Sequence, residues 1–374
     1  MAETKIEWAD AVWNPITGCT PISEACEHCY AKRMANRLAG RYGYPAYEPF
    51  RVMFHPERLK EPTIWRKPRR IFVCSMADLF HEDVAYEWIS AVMLVASICS
   101  HHTFMILTKR PDRMKAYFDS NPFGYTQGAA LAEFCKYLPT ISPGGRRDRI
   151  NGDGTINGNG NNEWPLPNVI GMVTAENQQR ADERIPDLLA SPFAMRGVSI
   201  EPMLGPVNIE RYLPEHDYRP TYDYYRTMFP KIGNKPIPIR RGIDWVICGG
   251  ETGPGARPMH PDWARSLRDQ CQAAVVPFFF KQWGEWAAAT VVDDSGFYGG
   301  RAFDNPAGGR QSAVIRERST KAFQSGTTRL LEPGDVTAGG VMMLDRNIVA
   351  VRVGKKAAGR LIDGREWSEF PDQK

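Results

Sequence analysis

Cys19, Cys26 and Cys29 stand in the run TGCTPISEACEHCYAKRMANRL, a C-x6-C-x2-C spacing that suits a metal centre better than a disulfide framework. The tight pair grips one ion or cluster, and the loop before it brings in a third thiolate. Three thiolates on an iron–sulfur cube leave one iron with an open coordination position, where a further group can be held. The same donors suit structural zinc, with His28 or His55 as the fourth ligand. Spacing alone leaves cluster and zinc both open.

Other chemically capable groups follow short apolar runs: Met76-Ala77-Asp78, Thr108-Lys109-Arg110, Thr174-Ala175-Glu176-Asn177, Glu201-Pro202 and Gly249-Gly250-Glu251. Lys109 offers a point charge and Arg110 a bidentate grip on carboxylate or phosphate. Arg110 precedes Pro111, which predicts a rigid turn there rather than a continuing helix. Asp78 reads equally as a helix cap or as the organiser of a ligand-facing loop. Gly249 and Gly250 allow close backbone approach to a ligand, or simply form a tight turn that Glu251 ends. Arg257 is a further anion contact or the ion-pair partner of Glu251. Glu201 suits hydroxyl binding or orientation of a base. Lys281 and Gln282 follow a very apolar run and can reach a site mouth, Trp283 can stack on a base, and Trp286 reads as rim packing. His81, His101 and His102 have no metal spacing and read as surface or supporting residues, whereas Cys74 and Cys248 lie in apolar runs and read as core.

Strand-like runs at 12–18, 71–75, 103–107, 169–173, 198–200, 245–248 and 275–280 alternate with helical patterns at 29–38, 84–99, 177–189 and 262–274. That alternation predicts an α/β fold with a parallel sheet, and six or seven units fit a full or partial (β/α) barrel better than a doubly wound sheet. In a parallel barrel the C-terminal strand ends share one face, so these motifs converge, and the cysteine loop joins them if it follows the first strand. The barrel is expected over 1–286. A Gly/Asn-rich insertion at about 142–162 reads as a flexible surface loop; Arg149 stands where a calcium loop needs its first carboxylate, which argues against calcium. Beyond it, 287–374 reads as a small β-rich extension over the barrel's edge or mouth.

Hydrophobic residues make up 43% and charged residues 24%, which excludes a disordered chain. The formal charge of +4, from 47 basic and 43 acidic residues, permits a nucleic-acid or nucleotide partner without requiring one. Basic loops at 60–70 and 109–113 are the candidates for such contact. The first residues lack a basic segment followed by an apolar core, and no apolar run approaches the ~20 residues of a membrane span. The expected location is the reducing cytoplasm, with no membrane partner.

Beyond the cysteine loop, the segments FVCSMADLFHEDV, FMILTKRPDRM, SIEPMLGPV, VICGGETGPGARPMHPDWARSLRDQC and VPFFFKQWGEW carry a resemblance. The chain resembles the phage Gp37/Gp68 family, a domain of unknown function with a three-cysteine motif, and through it radical S-adenosylmethionine enzymes such as spore photoproduct lyase. The resemblance implies a radical-S-adenosylmethionine type of barrel. Cys19, Cys26 and Cys29 would ligate a [4Fe–4S] cluster whose open iron holds S-adenosylmethionine and cleaves it to a 5′-deoxyadenosyl radical. Asp78, Gly249, Gly250, Glu251, Glu201 and Lys281 would contact the cofactor, with Glu201, Lys109 and Arg110 as catalytic residues. The implied partners are a nucleic acid or nucleotide undergoing repair or modification, an electron donor such as flavodoxin or ferredoxin, and a three-Cys-motif partner protein. The usual radical-enzyme signature is C-x3-C-x2-C, so the longer first spacing here departs from it. Two alternatives stand beside this expectation: a noncatalytic zinc or iron–sulfur protein that binds nucleic acid, and a TIM-barrel hydrolase in which Asp78, Glu201 and Glu251 activate water.

Overall fold

The computed structural model describes residues 4, 6–120, 165–214, 242–290, 341–344 and 348–371. The glycine-rich insertion at 142–162 lies outside the described residues, as does Cys135. Strand β1 (Ala11–Trp13) is followed by the short β2 (Ile16–Thr17), which pairs with β3 (Met53–Phe54) beyond helix α1 (Tyr30–Arg37). Next come α2 (Glu61–Ile64), β4 (Arg70–Val73), α3 (Tyr86–Ile98), β5 (Thr103–Thr108), α4 (Pro111–Asp119), β6 (Val169–Thr174), α5 (Gln178–Ala190) and β7 (Met195–Ile200). Strand β8 (Trp245–Gly249), α6 (Pro261–Ala273) and β9 (Phe278–Gln282) complete the α/β unit.

Seven of these strands form one parallel sheet in the order β1-β4-β5-β6-β7-β8-β9, curled into a half-barrel. Each step moves one place along the sheet with a helix or loop crossing over, the topology expected of a partial parallel barrel. Side chains alternate along every strand. Phe104, Ile106, Val173, Val198 and Phe280 face the helices in one large core, while Met105, Met172, Trp245, Ile247 and Phe279 face the other side.

That second face is capped at one end by aromatic residues from distant parts of the chain. Trp8 packs on Phe72 and Trp245, and Phe370 packs on Trp245 and Phe279. Beyond β9 lies an antiparallel sheet of β10 (Trp286–Thr290), β11 (Val341–Met343) and β12 (Ile348–Arg352). After α7 (Lys355–Ala358) comes the small hairpin β13 (Leu361–Ile362) and β14 (Arg365–Glu366). The chain then returns along β9: Phe280 N donates to Trp367 O at 2.9 Å, and Glu369 N donates to Phe278 O at 3.3 Å. An open parallel sheet would otherwise leave that edge unpaired. No described helix is long and apolar enough to cross a membrane.

Three sequence readings shift. The expected first strand at 12–18 breaks at Asn14-Pro15, and its second half pairs outside the main sheet. The last strand begins at Phe278 rather than 275, because Val275 is in the left-handed region at φ 55° and Pro277 has no N–H to give a ladder. Arg110 does sit in non-helical backbone, but it caps α4, with Pro111 at the first helical position.

Candidate functional site

The cysteine loop leaves β2 on the side where β4, β5, β7 and β8 end. Gly18 N donates to Met76 O just past β4, and Cys19 N donates to Phe50 O. A short helical turn at Glu24–Cys26 and a bond from Cys29 N to Cys26 O bring the tight pair to the start of α1. Cys19, Cys26 and Cys29 are half-buried residues, whereas Cys74, Cys99, Cys248 and Cys271 are buried. Burial pushes the Cys19 thiol up to about 11, with the Asp78 carboxylate adding to the rise and Arg110 opposing it.

Three arginines from three different strand ends strap this loop down. Arg110, behind β5, donates from Nη2 to Thr20 O at 3.1 Å and to Thr20 Oγ1 at 2.9 Å. Its Nη1 reaches Cys19 Sγ at 3.5 Å and Asp78 Oδ2 at 3.3 Å, and its Nε reaches Glu82 Oε2 at 2.8 Å. Arg180, in the first turn of α5 behind β6, holds both oxygens of Glu24 at 3.2 Å. Arg257, behind β8, donates to Glu27 at 3.0 Å and to Glu24 O at 2.9 Å. It also makes three bonds of 2.7–2.8 Å to Glu251 through its guanidinium and backbone. Planar guanidinium forks span several acceptors at once, which a lysine could not do here.

These bonds show what several candidate side chains hold. Arg110 is buried and its donors are committed to the loop, so it positions the cysteines rather than presenting a free charge to a ligand. Asp78 is likewise committed: it accepts from Phe80 N, Thr108 Oγ1, Lys109 N and Arg110 Nη1. Its place is the joint between the β4 and β5 ends. Glu251 is buried as the partner of Arg257, the ion-pair alternative read from sequence. The half-buried Lys109 makes no side-chain hydrogen bond or ion pair among the described residues.

Glu201 and Lys281 meet across β7 and β9, with Nζ to Oε1 at 2.7 Å. Burial works to lower the Lys281 pKa, but Glu201 outweighs it and raises the value. Gly249 lies beneath: a Cβ there would stand 3.2 Å from Glu201 Cδ. Tyr30, next to Cys29, lies within electrostatic reach of both Lys281 and Glu201 and donates its hydroxyl to Ser75 O at 3.0 Å. Lys281, Glu201, Tyr30 and the cysteine loop therefore share one end of the half-barrel. Gly250 serves the chain itself, because a Cβ there would lie 2.1 Å from Trp283 O.

Trp283 is a core residue, its indole N–H held by Leu361 O at 2.9 Å, and is not available for stacking on a base. Gln282 turns inward to Gly250 O. His81 and His102 are buried rather than superficial. Glu176 was recognisable only as part of a polar run. It is fully buried at the end of β6, with Oε2 held by Arg184 at 2.8 Å and, among the described residues, no partner for Oε1. Its signal was a carboxylate two residues beyond a strand, a pattern shared by many surface turns.

Among the described residues, no three His, Cys, Asp or Glu side chains stand together as ready ligands of one ion. Of the two candidate fourth ligands for zinc, His28 and His55, the latter is tied to Thr17 Oγ1 at 2.8 Å. A four-iron cluster makes a different demand, since each thiolate binds its own iron and the sulfurs need not touch. Three half-buried cysteines on one strapped loop fit that donor set.

Fold and site together define a class: a partial parallel β/α barrel carrying a three-cysteine loop strapped by arginines at its C-terminal end. A family model described as "Protein of unknown function (DUF5131)" matches residues 3–371, and the chain belongs to that family. No curated protein and no solved structure matches it.

Proposed function

We propose that the protein is a radical S-adenosylmethionine enzyme acting on a nucleic acid or nucleotide. The observation that supports this best is the position of Cys19, Cys26 and Cys29, half-buried at the C-terminal end of a partial parallel barrel and fixed from three strand ends. When bound, a [4Fe–4S] cluster with S-adenosylmethionine supplies reductive cleavage to a 5′-deoxyadenosyl radical. The chain's own residues supply ligation, orientation and shielding. Arg110 and Arg257 hold the loop's backbone in place. Glu176 Oε1, buried without a donor among the described residues, would accept from an amino or hydroxyl group of the cofactor. The Glu201–Lys281 contact beside Gly249 would orient the polar end of a ligand next to Tyr30.

The test is anaerobic reconstitution with iron and sulfide, followed by reductant and S-adenosylmethionine, with 5′-deoxyadenosine measured by mass spectrometry. Product that disappears in Cys19→Ala, Cys26→Ala and Cys29→Ala is the expected result. A spectroscopically complete four-iron cluster that yields no product in the presence of single-stranded oligonucleotide would refute the enzyme reading. Tight zinc with no cluster would favour the noncatalytic alternative.

A further inference from the structure

Of the two basic loops expected to meet a nucleic acid, only 109–113 lies near the site, and Lys109 is its one cation not committed to another group among the described residues. Residues 60–69 precede β4, which Arg70 opens, and lie at the opposite end of the sheet from the cysteines. In 109–113, Arg110 is committed to the loop and Arg113 to Val84 O. A third region has the missing property. Residues 30–51 contain five basic residues and one acidic residue, a net charge of +4 that equals the formal charge of the entire chain.

This segment starts at the third cysteine and runs through α1 and the loop that returns to β3. Lys32, Arg37, Arg41 and Arg51 are exposed. Lys32, Arg37 and Arg41 make no side-chain hydrogen bond or ion pair among the described residues, in contrast to the saturated Arg110, Arg180 and Arg257. Between these cations stand the two most exposed large hydrophobic side chains among the described residues, Tyr42 at 76% and Tyr47 at 91%. Tyr30, 47% exposed, links the segment to the cysteine loop.

Backbone geometry also separates Tyr42 from an incidental surface residue. Its φ is 50°, a left-handed conformation that a bulky side chain adopts only at a cost. Arg58 holds it there by donating to Tyr42 O at 2.6 Å, while Tyr44, two residues on, is buried. The chain thus keeps one ring inside and bears strain to project its neighbour outward.

We infer that the 30–51 surface is a docking platform for single-stranded nucleic acid, in which Tyr42 and Tyr47 stack on bases while Lys32, Arg37, Arg41 and Arg51 follow the phosphates. Exposed aromatic rings interleaved with unpaired cations are what an unpaired strand requires, whereas a duplex conceals its base faces. The inference rests on the nucleic-acid part of the proposed function and names both the form of the substrate and its route to the cysteine loop.

The experiment is fluorescence anisotropy of the full chain with fluorescein-labelled oligo-dT and oligo-rU of about 15 nucleotides, run without cofactor so that it is independent of radical chemistry. Binding should weaken with salt at a log–log slope of about −2 to −3, as expected for three or four phosphate contacts on a single strand. Tyr42→Ala/Tyr47→Ala should lose at least roughly tenfold in affinity with an unchanged unfolding midpoint. Arg37→Glu/Arg41→Glu should bind more weakly and lower the slope by at least about one. Arg66→Glu/Lys67→Glu, at the other end of the sheet, should match the wild type. Equal binding by the tyrosine variant, a duplex competing as well as the single strand, or no oligonucleotide binding would overturn the inference; the last result would leave the patch to a protein partner. Loss of 5′-deoxyadenosine formation with oligonucleotide binding intact would refute the enzyme reading alone.

Discussion

Removing Arg110 tests whether the cysteine loop is strapped as a unit. Arg110 and Asp78 have side chains 7% and 8% exposed and lie 3.3 Å apart. Breaking such a buried pair from one side costs about 3–5 kcal/mol, largely because the remaining charge stays buried without its partner. Arg110→Met also frees Thr20 O and Thr20 Oγ1, so the upper part of that range is expected. Asp78→Asn keeps the shape but turns an amide toward the Lys109 N–H and the Arg110 guanidinium, and about 3 kcal/mol should be lost. The double variant removes both charges together. Its cost should fall short of the sum by about 2 kcal/mol, since contacting buried groups couple strongly. Glu82, the other carboxylate on Arg110, is 58% exposed, and Glu82→Gln should cost less than about 1 kcal/mol. Urea denaturation of the four variants gives each number. Additive costs for Arg110 and Asp78, to within about 0.5 kcal/mol, would refute a shared joint and leave two unrelated capping contacts.

Two further outcomes follow from local geometry. Gly250→Ala should cost about 3 kcal/mol or more, since its Cβ meets the Trp283 backbone, while Gly249→Ala should cost about 1 kcal/mol because the Glu201 side chain can yield; equal unfolding midpoints for the two would contradict this. Burial, with nearby His101 adding to it, depresses the His102 pKa to about 4, so the neutral ring is the folded form and unfolding takes up a proton. Stability from this residue is present above about pH 6.5 and declines as pH falls toward 4, by about 3 kcal/mol in all, and His102→Gln should flatten that part of the urea-midpoint profile.

The sheet was readable because each core strand is a short, dense apolar run. Thr103–Thr108, Val169–Thr174 and Trp245–Gly249 announce themselves that way. The main helices were readable for a related reason, their apolar positions repeating at helical spacing. Helix α4 was hidden behind Arg110-Pro111, where proline signals the end of one element and equally the start of another. At the site, the residue types were visible but their partners were not. Arg257 with Glu24 joins positions 233 residues apart, and Arg180 with Glu24 joins positions 156 apart. No local pattern reports contacts at that separation. Trp283 misled because an aromatic residue beside a glycine turn looks alike whether it points at a ligand or at Leu361.

The returning tail has a consequence for how the molecule is made. Trp8 and Phe370 lie 362 residues apart in sequence and meet the same Trp245 ring, and Glu369 O caps that indole's N–H at 3.0 Å. During vectorial synthesis, Trp8 therefore waits until Phe370 has been made before its aromatic neighbourhood is complete. Until then the free edge of β9 lies open, and a nascent chain with an unpaired strand is prone to pair with another of its kind. The edge of β9 is thus sealed only once the segment around Trp367 has been made, and chains interrupted before it are the ones that a cell's folding machinery must shelter.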